Sequence, residues 1–186
     1  SNKVSTLNGQ LEDLNRAIEL GTGFAAAYSY RASSKNSLKD YSGAIEDYTK
    51  TIELRPEWKV SYNNRGNAKS NLKDYSGAIA DFTKAIELNP DYTYAYRNRG
   101  DVKHILKDYN GAIADFTKAI ELNPDYDIAY RNRGDLKHIL KDYKGAILDF
   151  TKAIELRPHG VYYNNRAVSK RESGDPKGAI EDYNKG

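Results

Sequence analysis

Residues 93–126 read TYAYRNRGDVKHILKDYNGAIADFTKAIELNPDY, and the residues after them form a near copy. Tyr96-Arg97-Asn98-Arg99-Gly100-Asp101 returns as Tyr130-Arg131-Asn132-Arg133-Gly134-Asp135. Asp115-Phe116-Thr117-Lys118-Ala119-Ile120-Glu121-Leu122 returns as Asp149-Phe150-Thr151-Lys152-Ala153-Ile154-Glu155-Leu156. Pro56, Pro90, Pro124 and Pro158 keep the same interval of 34 residues. A fixed period of this size means stacked supersecondary units, in which each copy packs on its neighbours, and such arrays serve as binding surfaces.

Within Thr93–Tyr126 the pattern predicts two helices. From Ala95 to Leu106 the larger groups Tyr96, Val102, Ile105 and Leu106 share a face, with the small Gly100 among them. Lys107-Asp108 interrupts this run, and Asp108 is placed to N-cap the second helix. From Tyr109 to Leu122, Tyr109, Ala112, Ile113, Phe116, Ala119, Ile120 and Leu122 step by three and four, which describes an amphipathic helix. Asn123-Pro124 ends it, because the residue before proline is driven out of the helical region. Short turns make the two helices antiparallel neighbours. Gly100 costs ~1 kcal/mol of helix propensity against alanine, which implies a packing role, read here as close approach to Ala112.

Tyr96, Gly100, Tyr109, Ala112, Phe116, Ala119 and Pro124 stand at the spacing of the tetratricopeptide repeat, and the chain resembles that family over nearly its whole length. The resemblance implies an all-α fold, a right-handed α-solenoid of antiparallel helix pairs. Laid along the chain, the register gives repeats at 25–58, 59–92, 93–126 and 127–159. A truncated repeat at 160–186 has lost one residue between Pro158 and Tyr163. Residues 1–24 read as the leading second helix of a partial repeat. The chain thus reads as a segment of a longer solenoid, with uncapped ends that invite end-to-end self-association.

Two columns depart from the family pattern. Arginine stands where leucine is usual (Arg31, Arg65, Arg99, Arg133, Arg166), and lysine where tyrosine is usual (Lys35, Lys69, Lys103, Lys137, Lys170). An unpaired charge on a packing stripe is costly. The second helices supply a matching acidic column, Asp47, Asp81, Asp115, Asp149 and Asp182, which predicts the pairs Arg65–Asp81, Arg99–Asp115 and Arg133–Asp149.

The resemblance also implies that first helices line a concave groove holding a peptide or partner segment. One asparagine per repeat, Asn64, Asn98, Asn132 and Asn165, would then form a ladder of carboxamides able to donate and accept along a partner backbone. Such a ladder resembles that of the tetratricopeptide superhelix in O-linked N-acetylglucosamine transferase. Beside it run Asn63, Arg97, Arg131 and Asn164, then Asn67, Asp101 and Asp135. The Arg/Asp pairs, four apart, can bridge each other for only ~0.2–0.5 kcal/mol, so they stay available to a ligand of mixed charge. Tyr94, with Tyr30 at the start of the groove, would pack apolar side chains. His104 and His138 complete the groove lining. As a metal pair they would stand roughly 10 Å apart, the spacing of packed helices, which is too far. A chaperone-tail carboxylate clamp is matched only in part by Asn63, Asn67 and Asn98. Asp101 and Asp135 would repel its ligand, and Ile128 stands where a clamp lysine belongs.

Other chemistries find little support. There is no cysteine, hence no disulfide or thiolate chemistry. No apolar run approaches the ~18 residues of a membrane span, and Ser1-Asn2-Lys3-Val4 lacks the apolar core of a signal peptide, which biases the expectation toward an intracellular location. The net charge of +3 is mild and interspersed, and does not by itself imply nucleic acid. An RNA-binding helical repeat, with the lysine column as phosphate track, is the alternative reading, as is a regulatory or oligomerisation segment of a larger enzyme. Gly43, Gly77, Gly111, Gly145 and Gly178 are single glycines at one repeat position, not a phosphate loop. The expectation is a non-catalytic scaffold for protein partners, without cofactor or metal.

Overall fold

Asp108 joins two helices and serves both. Its backbone N–H donates to the Lys103 carbonyl at 2.9 Å, closing the first helix in the six-to-one manner of a Schellman turn. Its carboxylate accepts from Gly111 N at 3.0 Å, opening the second helix as an N-cap. Asp40, Asp74, Asp142 and Asp175 do the same in their own copies. This arrangement accounts for the glycine column that the sequence left unexplained. A Cβ at Gly111 would fall on the Asp108 carboxylate, so the cap needs a bare backbone three residues on. The residue before each Asp is left-handed: Lys39, Lys73, Lys107 and Lys141 have φ of 63–66°, and Gly174 takes the place in the last copy.

The structure, a computed structural model, describes residues 2–21 and 25–186. Residue 1 and residues 22–24 of the leading segment 1–24 lie outside the described residues. Among the described residues there are eleven helices and no strand. They are α1 (Asn2–Glu19), α2 (Ala25–Ser37), α3 (Tyr41–Leu54), α4 (Lys59–Asn71), α5 (Tyr75–Leu88), α6 (Thr93–Ile105), α7 (Tyr109–Leu122), α8 (Asp127–Ile139), α9 (Tyr143–Leu156), α10 (Gly160–Glu172) and α11 (Pro176–Tyr183). The chain divides into two compact units, Ser1–Asn98 and Arg99–Gly186. In the first, α1 packs on α2, α2 on α3, α3 on α4 and α4 on α5. In the second, α7 packs on α8, α8 on α9, α9 on α10 and α10 on α11.

Four helix pairs, α2–α3 to α8–α9, close on an aromatic ring. Phe82, Phe116 and Phe150 are fully buried, and Tyr48 nearly so. A Cβ at Gly100 would lie 2.8 Å from the Phe116 ring, and one at Gly134 the same distance from Phe150. The packing reason for Gly100 is therefore the ring of Phe116, and not Ala112 as the sequence suggested. Ala112 instead joins Phe116 and Leu136 in one apolar cluster. The first-helix face also needs correction. Ala95 and Val102 are its buried members, whereas Ile105 and Leu106 are about half exposed, because the left-handed turn at Lys107 comes at once and leaves them at the helix end.

Beneath this face lies a charged layer, repeated in every helix pair. Arg65 grips Asp81 through two nitrogens at 2.9 and 2.7 Å, and Arg99 grips Asp115 at 3.0 and 2.7 Å. Arg133 grips Asp149 at 2.9 and 2.7 Å. Arg31–Asp47 and Arg166–Asp182 match them. The predicted pairs thus form, with the bidentate geometry that planar guanidinium favours. The layer has a third member that spacing does not reveal: Lys35, Lys69, Lys103, Lys137 and Lys170 place Nζ 2.8–2.9 Å from the same carboxylates. Each buried Asp therefore faces two cations. For Asp182, burial pushes the carboxyl up, but the hydrogen bonds of Arg166 and Lys170 outweigh it and hold it below the ordinary value. Arg65, Arg133 and Arg166 also donate from Nη1 to Thr49, Thr117 and Thr151 of the preceding copy at 3.0–3.1 Å. Each of these arginines thus ties two copies together. In the second unit Tyr162 adds a further tie, its hydroxyl donating to Asp127 at 2.8 Å. Burial and that carboxylate push the phenol up to about 12.

Candidate functional site

The first helices carry the polar residues singled out by sequence, and the two units arrange them differently. In the unit Ser1–Asn98 they form a chain of hydrogen bonds. Arg97 Nη1 donates to Asn98 Oδ1 at 3.0 Å, Asn98 Nδ2 to Asn63 Oδ1 at 3.0 Å, and Asn63 Nδ2 to Asn64 Oδ1 at 3.2 Å. Guanidinium can only donate, so the direction of the chain is set from its first member. Asn64 also bonds the Tyr48 hydroxyl, opposing the burial that raises that phenol. Asn67 is half-buried, and its carbonyl accepts from Asn71 at 2.9 Å. Tyr94 stays exposed, edge-on to Tyr92.

In the unit Arg99–Gly186 the same hexapeptide behaves otherwise. Arg131 Nη1 turns away from Asn132 and donates to Asp135 Oδ2 at 3.0 Å. Asn132 Nδ2 donates to Asp101 Oδ1 at 2.7 Å, and Asn165 Nδ2 to Asp135 Oδ1 at 2.8 Å. The reason is chemical. Asn98 finds an acceptor in Asn63, but in the column of Asn63 the next copies carry arginine, which accepts nothing. Asn165 accordingly turns to Asp135 rather than to Arg131. Asn132 Oδ1 is left buried with no hydrogen-bond partner among the described residues. Its orientation is fixed by the other end, since only the NH2 group can face the Asp101 carboxylate.

The ladder read from sequence is therefore largely committed within the protein. Asn98 uses both ends of its carboxamide, while Asn132 and Asn165 use their donor ends. Asn98 and Asn132 are only 8% and 7% exposed. The lysine column considered as a phosphate track is likewise engaged on the buried aspartates.

What remains open is a cavity of about 340 Å³ in the second unit. His104, Asp135, His138 and Asn165 line it together with Ile139, Phe150 and Val168. Four of the polar residues named from sequence thus meet at one place, and Arg131 adjoins them through its bond to Asp135, while Asp101 and Asn132 bond each other. His138 Nδ1 lies 3.0 Å from Ser169 Oγ, and its ring tilts against Tyr143. His104 stands edge-on to Tyr109. Burial pushes the Asp135 carboxyl above its ordinary value, with Arg131, Asn165 and His104 opposing. Sequence reasoning misses Ser169, Ile139 and Val168, because nothing in the repeat pattern marks them as more than packing residues.

The first unit has a larger cavity of about 580 Å³, which includes Tyr30, Trp58, Val60 and Leu88. The sequence reading names Tyr30 as an aromatic contact and passes over Trp58. That residue is nevertheless the single tryptophan and stands in the column of Tyr92 and Tyr126.

A family model described as tetratricopeptide repeat matches residues 60–92 and 93–126, and a second of the same description matches 129–159. No curated protein matches the chain by sequence. Solved structures are similar in fold. MamA from Desulfovibrio magneticus RS-1 is 22% identical with a TM-score of 0.79, over 87% of this chain and 92% of that one. YrrB, described as a TPR protein with an unusual peptide-binding site, is 23% identical with a TM-score of 0.76, over 94% and 91%. A chain of the APC/C hetero-tetramer Cut9-Hcn1 is 16% identical with a TM-score of 0.78, over 97% of this chain and 36% of that one. These likenesses show the fold class, an all-α solenoid of helix pairs.

Proposed function

The chain belongs to the tetratricopeptide repeat family, and from that premise we propose that it is a non-catalytic scaffold holding an extended segment of a partner protein. The observation that carries this reading is the cavity at His104, Asp135, His138 and Asn165. Its volume is at the small end of the ~300–1,000 Å³ typical of ligand pockets, a size that suits one or two side chains of a chain passing over it. Its walls mix apolar groups with a few fixed polar ones, the usual composition of a recognition pocket. The polar members are held by other side chains, Asp135 by Arg131 and Asn165, and His138 by Ser169, so they are set before a ligand arrives. YrrB shows that this fold is compatible with a peptide-binding site, and the repeat boundaries 25–58, 59–92, 93–126 and 127–159 are taken as the modules of the array. Engagement of the lysine column on aspartate favours a protein partner over RNA.

A random peptide library displayed on phage, selected against the full chain, tests this. Enriched peptides are expected to bind with micromolar affinity by fluorescence anisotropy, and to lose at least tenfold on Val168→Trp, which fills the cavity. Retained circular dichroism of that variant separates lost binding from lost fold. Selection that enriches nothing, or peptides indifferent to the filled cavity, would remove the proposal.

A further inference from the structure

Arg97 and Arg131 sit in the same six-residue sequence, and their Nη1 groups donate to different acceptors. Arg97 donates to the neighbouring Asn98 oxygen. Arg131 donates to Asp135, one turn along its helix, and the oxygen of its own neighbour, Asn132, is buried without a partner. The bond at Arg97 shows that an arginine at this position can reach the carboxamide oxygen of the residue after it. The second leaves an unsatisfied buried acceptor, which the first would repair. Arg131 stays on Asp135 because that half-buried carboxylate is partly stripped of water and favours a cation beside it.

We infer that Asp135 receives a basic side chain, lysine or arginine, from the partner segment, and that Arg131 then moves to Asn132 Oδ1. This rests on the partner-binding reading and names the chemistry of the group bound. The exchange keeps one cation on Asp135 before and after, and it pairs the open acceptor of Asn132. Ile139, Phe150 and Val168 line the same cavity and suit the methylene stem of such a side chain. An anionic ligand gains nothing comparable. Its charge would meet the like charge of Asp135, and the Asn132 oxygen, an acceptor, would remain unsatisfied.

The probe is n-butylammonium, a lysine side chain without its backbone, titrated into the isotope-labelled full chain and followed by NMR. Butyrate serves as the anionic counterpart. Butylammonium is expected to shift the Asn132 side-chain amide and the Arg131 Nε–H signal saturably, and butyrate to shift neither. On Asp135→Asn the apparent Kd should rise at least tenfold. Equal responses to both probes, or no saturable response at Asn132 and Arg131 in the wild-type chain, would overturn the inference without recourse to any variant. The two readings can fail separately. Library peptides that bind while butylammonium leaves Asn132 untouched would refute the basic-group pocket alone. A butylammonium response without any selected peptide would refute peptide capture alone.

Discussion

Around Asn98 the hydrogen bonds run from Arg97 through two carboxamides to Asn64. Around Asn132, in the same local sequence, the chain is broken at one buried oxygen. The difference arises in the column of Asn63: asparagine there accepts a hydrogen bond, and the arginines of the next copies do not. Repetition of sequence therefore yields repetition of structure only where all partners repeat as well. The charged layer beneath meets that condition. Its five Arg–Asp–Lys groups keep their shortest contacts at 2.6–2.9 Å. On the first-helix faces the neighbours vary, and one mismatch falls at Asn132.

Three substitutions set the constant layer against the variable one. Asp149→Ala removes the carboxylate shared by Arg133 and Lys137 and should cost about 3–5 kcal/mol, as for other buried pairs that lose one member. Urea denaturation monitored by circular dichroism reads this directly. A loss below ~0.5 kcal/mol, the range of innocuous surface changes, would mean that the layer is solvated. Asn98→Ala should cost roughly 1–3 kcal/mol, because the oxygen of Asn63 is left buried and unpaired. Asn132→Ala should cost under about 1 kcal/mol, since it also deletes an unsatisfied acceptor and water can replace the lost donor at the half-buried Asp101. Equal losses for these two variants would abolish the distinction between the regions.

Much of the scaffold is legible in the sequence. The period, the cap at Asp108, the stop at Asn123-Pro124 and the Arg–Asp pairing come from residue types at fixed spacing, and each involves groups with few alternative partners. The third member of the charged layer is not legible, because a lysine on a helix can turn to solvent or inward at similar cost and spacing does not decide which. The role of Gly100 is misread for a related reason: the pattern shows that a small residue is needed, and only packing shows that Phe116 needs the space. The asparagine column is the hardest. A carboxamide has two donors and two acceptor sites, so its choice between Asn63, Asp101 and Asp135 depends on which neighbours compete, and that information lies in another copy rather than in its own.

The double duty of each turn aspartate has a consequence for how such a chain can change over generations. Closing one helix with its N–H and starting another with its carboxylate requires a set number of atoms between Lys103 and Gly111. Inserting or deleting a single residue there would disrupt both helix ends together. The joints after the prolines lack that double role, and the spacing from Pro158 to Tyr163 is shorter by one than that from Pro124 to Tyr130. Variation in length among descendants should therefore collect at the proline joints, while the aspartate turns stay invariant in size.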